Sequence, residues 1–237
     1  MTGPAGQAAI EAFWAGRLGC RVADLRRPGV TVVPWPEPFA YALLRRGTLV
    51  VAVPAGWRPA VTGGLGGLDP AVAFRADRLA AVLGDGAGPP VGPAYQGFAD
   101  AGDARGPTAA DVRLLGEGDR PALDRVRLAA GETAWEHSAI NLDRPPVFGR
   151  FAGGVLVAAA TLEDPGGPVA SVGVLTHPAH RGRGHGRAVA GAVTRAALDA
   201  GAVARYQTLD ANPASVAIAR ALGYRRDATT LSFRLPG

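Results

Sequence analysis

Apolar residues along this chain fall into short β-branched runs and helical stripes that alternate from end to end. Residues 29–34 (GVTVVP) and 48–53 (TLVVAV) predict strands, while residues 10–18 and 71–83 predict helices. Pro/Gly-rich turns separate them at 34–38 and 63–67. The GGLGG run at Gly63 leads into no strand-to-helix signal and is read as a flexible loop. Further along, residues 112–115 predict a strand. Asp119 then stands as a helix cap, with Pro121 in the first turn and Leu123, Val126 and Ala130 on one face. Residues 147–151 and 155–162 flank Gly153-Gly154 as a hairpin, and 169–176 form a further strand. Val189, Val193, Ala196 and Ala200 recur at helical spacing before Gly201. Residues 203–209 return as a strand, Asn212-Pro213 opens a helix that stops at Gly223, and 229–235 close the chain as a strand. This order predicts an α/β fold with a mixed sheet. The polar, Gly-rich stretch 99–108 divides a small α/β domain, residues 1–106, from a second domain, residues 107–237.

The apolar fraction of 48% is that of a globular protein with a sizeable core. No apolar run approaches the roughly 18 residues of a membrane span, and residues 1–14 lack the pattern of a signal peptide, so a cytoplasmic location without membrane contact is expected. The lone cysteine, Cys20, is read as an idle thiol. The formal charge of +5 invites a nucleic-acid reading, but the chain contains no lysine. Its arginines are scattered without interleaved aromatics, so no nucleic-acid partner is expected.

The run Arg181-Gly182-Arg183-Gly184-His185-Gly186, followed by Arg187, lies between a valine-rich strand and a helix. Its glycines permit φ > 0 and close approach to a ligand, while the amides of a helix start have no partners within the helix. Successive amides, the helix dipole and three arginines favour an anion, and the run reads as a pyrophosphate cradle. A Walker or dinucleotide-binding loop competes for the glycines, but no Gly-Lys-Ser/Thr is present, and the nearest approach to a ribose-binding acid is Asp210, about twenty-four residues after Gly186. His177, His180 and His185 surround the loop without interleaved Cys, Asp or Glu, so they are expected to contact phosphate or backbone, with no metal.

Residues 172–190 (VGVLTHPAHRGRGHGRAVA), with Arg181, Gly184 and Gly186 at the Arg-x-x-Gly-x-Gly positions, resemble the signature of the GNAT superfamily of N-acyltransferases. Asn212-Pro213-Ala214-Ser215 and Leu222-Gly223-Tyr224 are similar to that family's later Asn-to-Gly-Tyr segment. The resemblance implies acetyl-CoA as cosubstrate, with the amides of residues 181–187 on its pyrophosphate. Val174 and Thr176 would offer backbone groups to the pantetheine as an added pseudo-strand, in a splay between their strand and residues 203–209. It also implies an oxyanion donor near Val174, contact of Asn212 with the pantetheine arm, and direct attack by a primary amine in a ternary complex. The expected acceptor is a small metabolite or antibiotic-like amine. A protein N-terminus or lysine, and a non-catalytic acyl-CoA-binding regulator, remain as alternatives. Homodimerisation is left open.

The sequence departs from the family at two customary catalytic places. Ala170 stands where some members carry a base glutamate, and Ala219 where many carry a tyrosine that protonates the departing thiolate. Ser215, one turn earlier, is the hydroxyl at hand. The acidic cluster Glu132, Glu136 and His137 in GETAWEHSAI lies in the segment that lines the acceptor side in the family, and these side chains are candidates to hold and deprotonate an ammonium. A solvated helix end beside a core tryptophan, Trp135, is the competing reading.

Overall fold

The computed structural model describes residues 3–102, 111–144, 146–163 and 166–236. Residues 103–110, on which the expected 106/107 boundary falls, lie outside the described residues. Two compact units interleave along the chain: Gln7–Gly97 with Thr208–Pro213 and Arg226–Gly237, and Met1–Gly6 with Phe98–Gln207 and Ala214–Arg225.

The first unit takes most of helix α1 (Pro4–Leu18), whose Ile10, Trp14 and Leu18 recur every four residues and are fully buried. Strands β1 (Gly29–Pro34) and β3 (Thr48–Val53) pair in parallel, and β2 (Phe39–Arg45) lies antiparallel on the other side of β3. Helices α2 (Arg58–Leu65), α3 (Pro70–Ala73) and α4 (Ala76–Leu83) cover this sheet through Val61, Leu65, Ala73, Leu79 and Leu83. Strand β4 (Val91–Ala99) follows, and the last strand of the chain, Arg225–Arg234, pairs antiparallel with β2.

Two local expectations are corrected in this unit, and two strands are added to those expected. Residues 71–83 form two helices, because Arg75 is extended (φ −60°, ψ 136°) while Asp69 caps the first through the amides of Ala71 and Val72. The GGLGG loop begins inside α2; a Cβ on Gly64 would lie 2.7 Å from Val82, so this glycine permits close helix packing. Strands β2 and β4 carry no alternation: β2 is buried at nearly every position, and β4 contains Gly92, Pro93 and Gly97.

The second unit contains β5 (Val112–Leu114), α5 (Arg120–Ala130), α6 (Glu132–Ser138), β6 (Val147–Ala152), β7 (Val155–Glu163), β8 (Val169–Thr176), α7 (His185–Asp199), β9 (Val203–Leu209) and α8 (Pro213–Ala221). The final strand, Arg225–Arg234, is β10. The sheet order here is β9-β8-β7-β6-β5, antiparallel except for the parallel β8/β9 pair. Gly153 and Gly154, both at positive φ, make the expected β6–β7 turn. Asp119 does not cap α5 with its side chain; its carboxylate accepts from the Gly116 amide and pairs with Arg113, closing the 3₁₀ turn before the helix.

Side-chain alternation along β8 assigns its two faces. Gly173 and Leu175 look towards α5 and α6, where Leu175 joins Leu123, Val126 and Ile140. Val174 and Thr176 look towards α7. The site is built on this strand.

Candidate functional site

Glycine backbone conformation shapes the turn between β8 and α7. His177 opens a 3₁₀ turn, its Nδ1 accepting the Ala179 amide at 3.2 Å, so this histidine caps backbone as expected. Gly182 (φ 75°) and Gly184 (φ 78°, ψ 2°) occupy the left-handed region that side chains disfavour. The ladder of α7 opens with Ala188 N–H donating to Gly184 C=O, which leaves the amides of His185, Gly186 and Arg187 ahead of it. The Arg181 amide instead donates to Pro178 C=O at 3.3 Å. Its exposed guanidinium remains at the loop, with those of Arg183 and Arg187.

Gly186 is needed for a different reason. A Cβ there would lie 2.7 Å from Thr176 Oγ1, 3.3 Å from Ile218 Cδ1 and 3.8 Å from Val174 Cγ1. The first turn of α7, the end of β8 and the side of α8 therefore converge on one point.

Beside that point the sheet opens. The β8/β9 register runs from Val169↔Val203 to Val172↔Tyr206 and ends there, although β8 continues to Thr176 and β9 to Leu209. The His177 amide donates to Val157 of β7, so alternation turns the backbone groups of Val174 and Thr176 towards the β9 side. Both expected pantetheine-binding residues thus present backbone to the open edge.

Tyr206, at the closing pair, was not singled out by the sequence. Its hydroxyl lies 3.0 Å from Ser215 Oγ, and burial pushes its phenol pKa up against the opposing effect of that hydrogen bond. The ring packs edge-on against Tyr224, whose hydroxyl meets Thr194 Oγ1 of α7 at 2.7 Å. On the opposite sheet face, the buried Arg205 donates to Ser171 Oγ at 3.1 Å and to Gln207 Oε1. The available signal for Tyr206 was its place in a strand expected to wall the splay.

The acidic cluster forms α6, and the structure holds its members differently. Glu132 pairs with Arg127 at 2.6 Å, and that guanidinium lies 5.2 Å over the Trp135 ring, which packs on the α5/α6 core. Glu136 and His137 are exposed. Asn212 stands just before α8, its amide donating to Leu209 C=O. Ala170 and Ala219 are fully buried.

The rings of His177, His180 and His185 form an edge-to-face chain, with centroids 5.2 and 6.2 Å apart. The His185 pKa is lowered, first by burial and then by the charges of Arg150, His180 and Arg183, with Asp111 opposing. Among the described residues no group of three or more His, Cys, Asp or Glu side chains is placed to hold a metal ion.

Residues 118–224 match the family model described as Acetyltransferase (GNAT) family. This chain carries a GNAT acetyltransferase domain. A GCN5-related N-acetyltransferase from Kribbella flavida is similar in fold over 100% of this chain and 97% of its own, at 21% identity and a TM-score of 0.51. A GNAT-family protein from Novosphingobium aromaticivorans is 24% identical over 62% of this chain, with a TM-score of 0.46; the chain spans 65% of that protein's length. A Salmonella typhimurium protein solved with its cofactor acetyl-CoA is 20% identical over 53% of this chain and 93% of its own, with a TM-score of 0.41. No curated protein matches the sequence. Within the GNAT domain lie the glycine loop, the open edge of β8, α6 and Ser215.

Proposed function

We propose that this protein transfers the acetyl group of acetyl-CoA to a primary amine of a small metabolite or antibiotic-like acceptor, by direct attack in a ternary complex. The observation that carries the reading is the end of the β8/β9 register at Val172↔Tyr206, beside a helix start whose amides precede the helical ladder. An acyl-CoA fits both features. Its pyrophosphate suits the amides of residues 182–187 and the three arginine side chains, with Arg181 contributing its guanidinium. The amide-rich pantetheine suits the strand edge at Val174 and Thr176. The Val174 amide is then placed to polarise the thioester carbonyl as the amine attacks.

Proton removal from the attacking ammonium falls to α6. Glu132 is engaged by Arg127, so Glu136 and His137 are the groups assigned to that step. Glu136→Gln is expected to lower turnover at neutral pH by roughly 100-fold while leaving acetyl-CoA affinity within about twofold. Stopped-time thiol release with saturating amine checks this, and an unchanged rate removes Glu136 from the mechanism.

A second reading, an acyl-CoA-binding regulator without turnover, is favoured by Ala170 and Ala219 at two customary catalytic positions. A thiol-release assay across small amines, aminosugars and peptides separates the readings. Release with small amines supports the enzyme, release with peptides alone moves the acceptor to a protein, and tight acetyl-CoA binding without release supports the regulator.

A further inference from the structure

The site lacks a tyrosine at position 219, yet expulsion of CoA leaves an anionic sulfur that needs a hydrogen-bond donor. We propose that Ser215 is that donor and that Tyr206 is the residue that orients it. The inference rests on the acetyl-transfer reading above.

Three observations locate the pair. Ser215 precedes Ile218 by three residues on α8, so the two share a helical face, and Ile218 is among the groups that converge with Gly186, Thr176 and Val174. That face borders the open edge along which the thioester arm would run. Tyr206 belongs to the pair at which the strands separate, and its side chain reaches the first turn of α8 to meet Ser215 Oγ at 3.0 Å. Finally, Ser215 is half-buried whereas Tyr206 is 3% exposed, so the serine fronts the accessible side and the tyrosine stands behind it.

The chemistry fixes the direction of the bonds. Burial keeps the phenol protonated, and a phenol is a stronger donor than an aliphatic hydroxyl, so Tyr206 O–H donates to Ser215 Oγ. Donation into the serine oxygen polarises the serine's own O–H. A thiolate is a stronger acceptor than the neutral oxygens a serine meets at a helix start, so the serine hydrogen turns to sulfur as charge develops there. During the step the amine nitrogen forms the C–N bond, the C–S bond breaks, and its electron pair leaves on sulfur. The proton shed by nitrogen finally neutralises the sulfur. Ser215 and Tyr206 keep their protons throughout.

The test uses the full chain with acetyl-CoA and an amine that the wild type acetylates. Ser215→Ala is expected to lower kcat by roughly 10- to 100-fold, the worth of one hydrogen bond to a charged group, with acetyl-CoA Kd within about twofold. Ser215→Thr, which keeps the hydroxyl, is expected to recover most of that loss. Tyr206→Phe, which keeps the ring and its packing on Tyr224, is expected to lower kcat by roughly 3- to 10-fold with Kd unchanged, the effect of removing one neutral donor. Wild-type kcat in Ser215→Ala, or equal losses in kcat and affinity that Ser215→Thr does not rescue, overturns the proposal. Absence of thiol release by the wild type with every amine overturns the parent reading, and this inference with it.

Discussion

Arg45 gathers two buried carboxylates of the first unit, Glu11 and Asp227, around one guanidinium. Its Nε donates to Asp227 at 2.7 Å, its Nη1 lies 3.4 Å from Glu11, and these three side chains are 2–5% exposed. Trp14 Nε1 adds a bond to Asp227, and Arg26 and Gln7 add bonds to Glu11. Burial works to raise the Glu11 pKa, but the hydrogen bonds from Arg26 and Gln7 and the charges of Arg45 and Arg26 outweigh it and hold the carboxyl below its usual range. A depressed folded-state pKa gives stability that is present above the unfolded value and lost as pH falls through the folded one. Glu11→Gln is therefore expected to cost roughly 3 kcal/mol at pH 7, with the gap from wild type narrowing below about pH 4. Thermal melts at pH 7, 5 and 3.5 check it; a gap independent of pH contradicts the assignment. None of this was legible in the sequence, because Arg45 meets partners 34 and 182 positions away and no periodic pattern links them.

Among the elements, β8 bears most of the constraint. A Cβ on Gly173 would run into the carbonyl oxygen of Ser138 at the end of α6, backbone that cannot rotate aside. Gly173→Ala is expected to destabilise the fold by about 2–3 kcal/mol in denaturant titration, whereas Gly116→Ala, with open space around it, should change stability far less. The start of α7 adds a pH dependence. His185 holds its proton poorly, and a bound pyrophosphate would offset the nearby positive charges and raise its pKa, so binding should take up a proton. Acetyl-CoA affinity is expected to rise as pH falls from 8 to 6, and to lose that dependence in His185→Asn; equal slopes in both contradict it. Elements β6 to β9, α7 and α8 were legible because valine-marked runs, helical stripes and stop glycines agree there. Strand β2 was not, since FAYALLR carries no β-branched residue to mark a strand where burial on both faces removes the alternation. Tyr206 was hidden for a related reason: its importance comes from the register Val172↔Tyr206, and register is a property of two strands.

At the scale of the whole molecule, chain order and spatial order part company. A sequential division at 106/107 is the natural reading of a polar stretch, yet the last strand pairs Thr229–Arg234 with Leu44–Phe39 and belongs with the first unit. Only pairing between distant segments reveals that assignment. The glycine turn into α7, by contrast, was readable from one continuous stretch, because positive-φ glycines and a helix start are local features. The proposed reaction depends first on acetyl-CoA seating on this turn and the β8 edge. Isothermal titration of acetyl-CoA into the wild type and into Arg181→Glu and Gly184→Glu measures it. One site per chain is expected in the wild type, with at least roughly tenfold weaker binding, about 1.4 kcal/mol, in each variant. No binding by the wild type, or equal affinity in all three proteins, would contradict it.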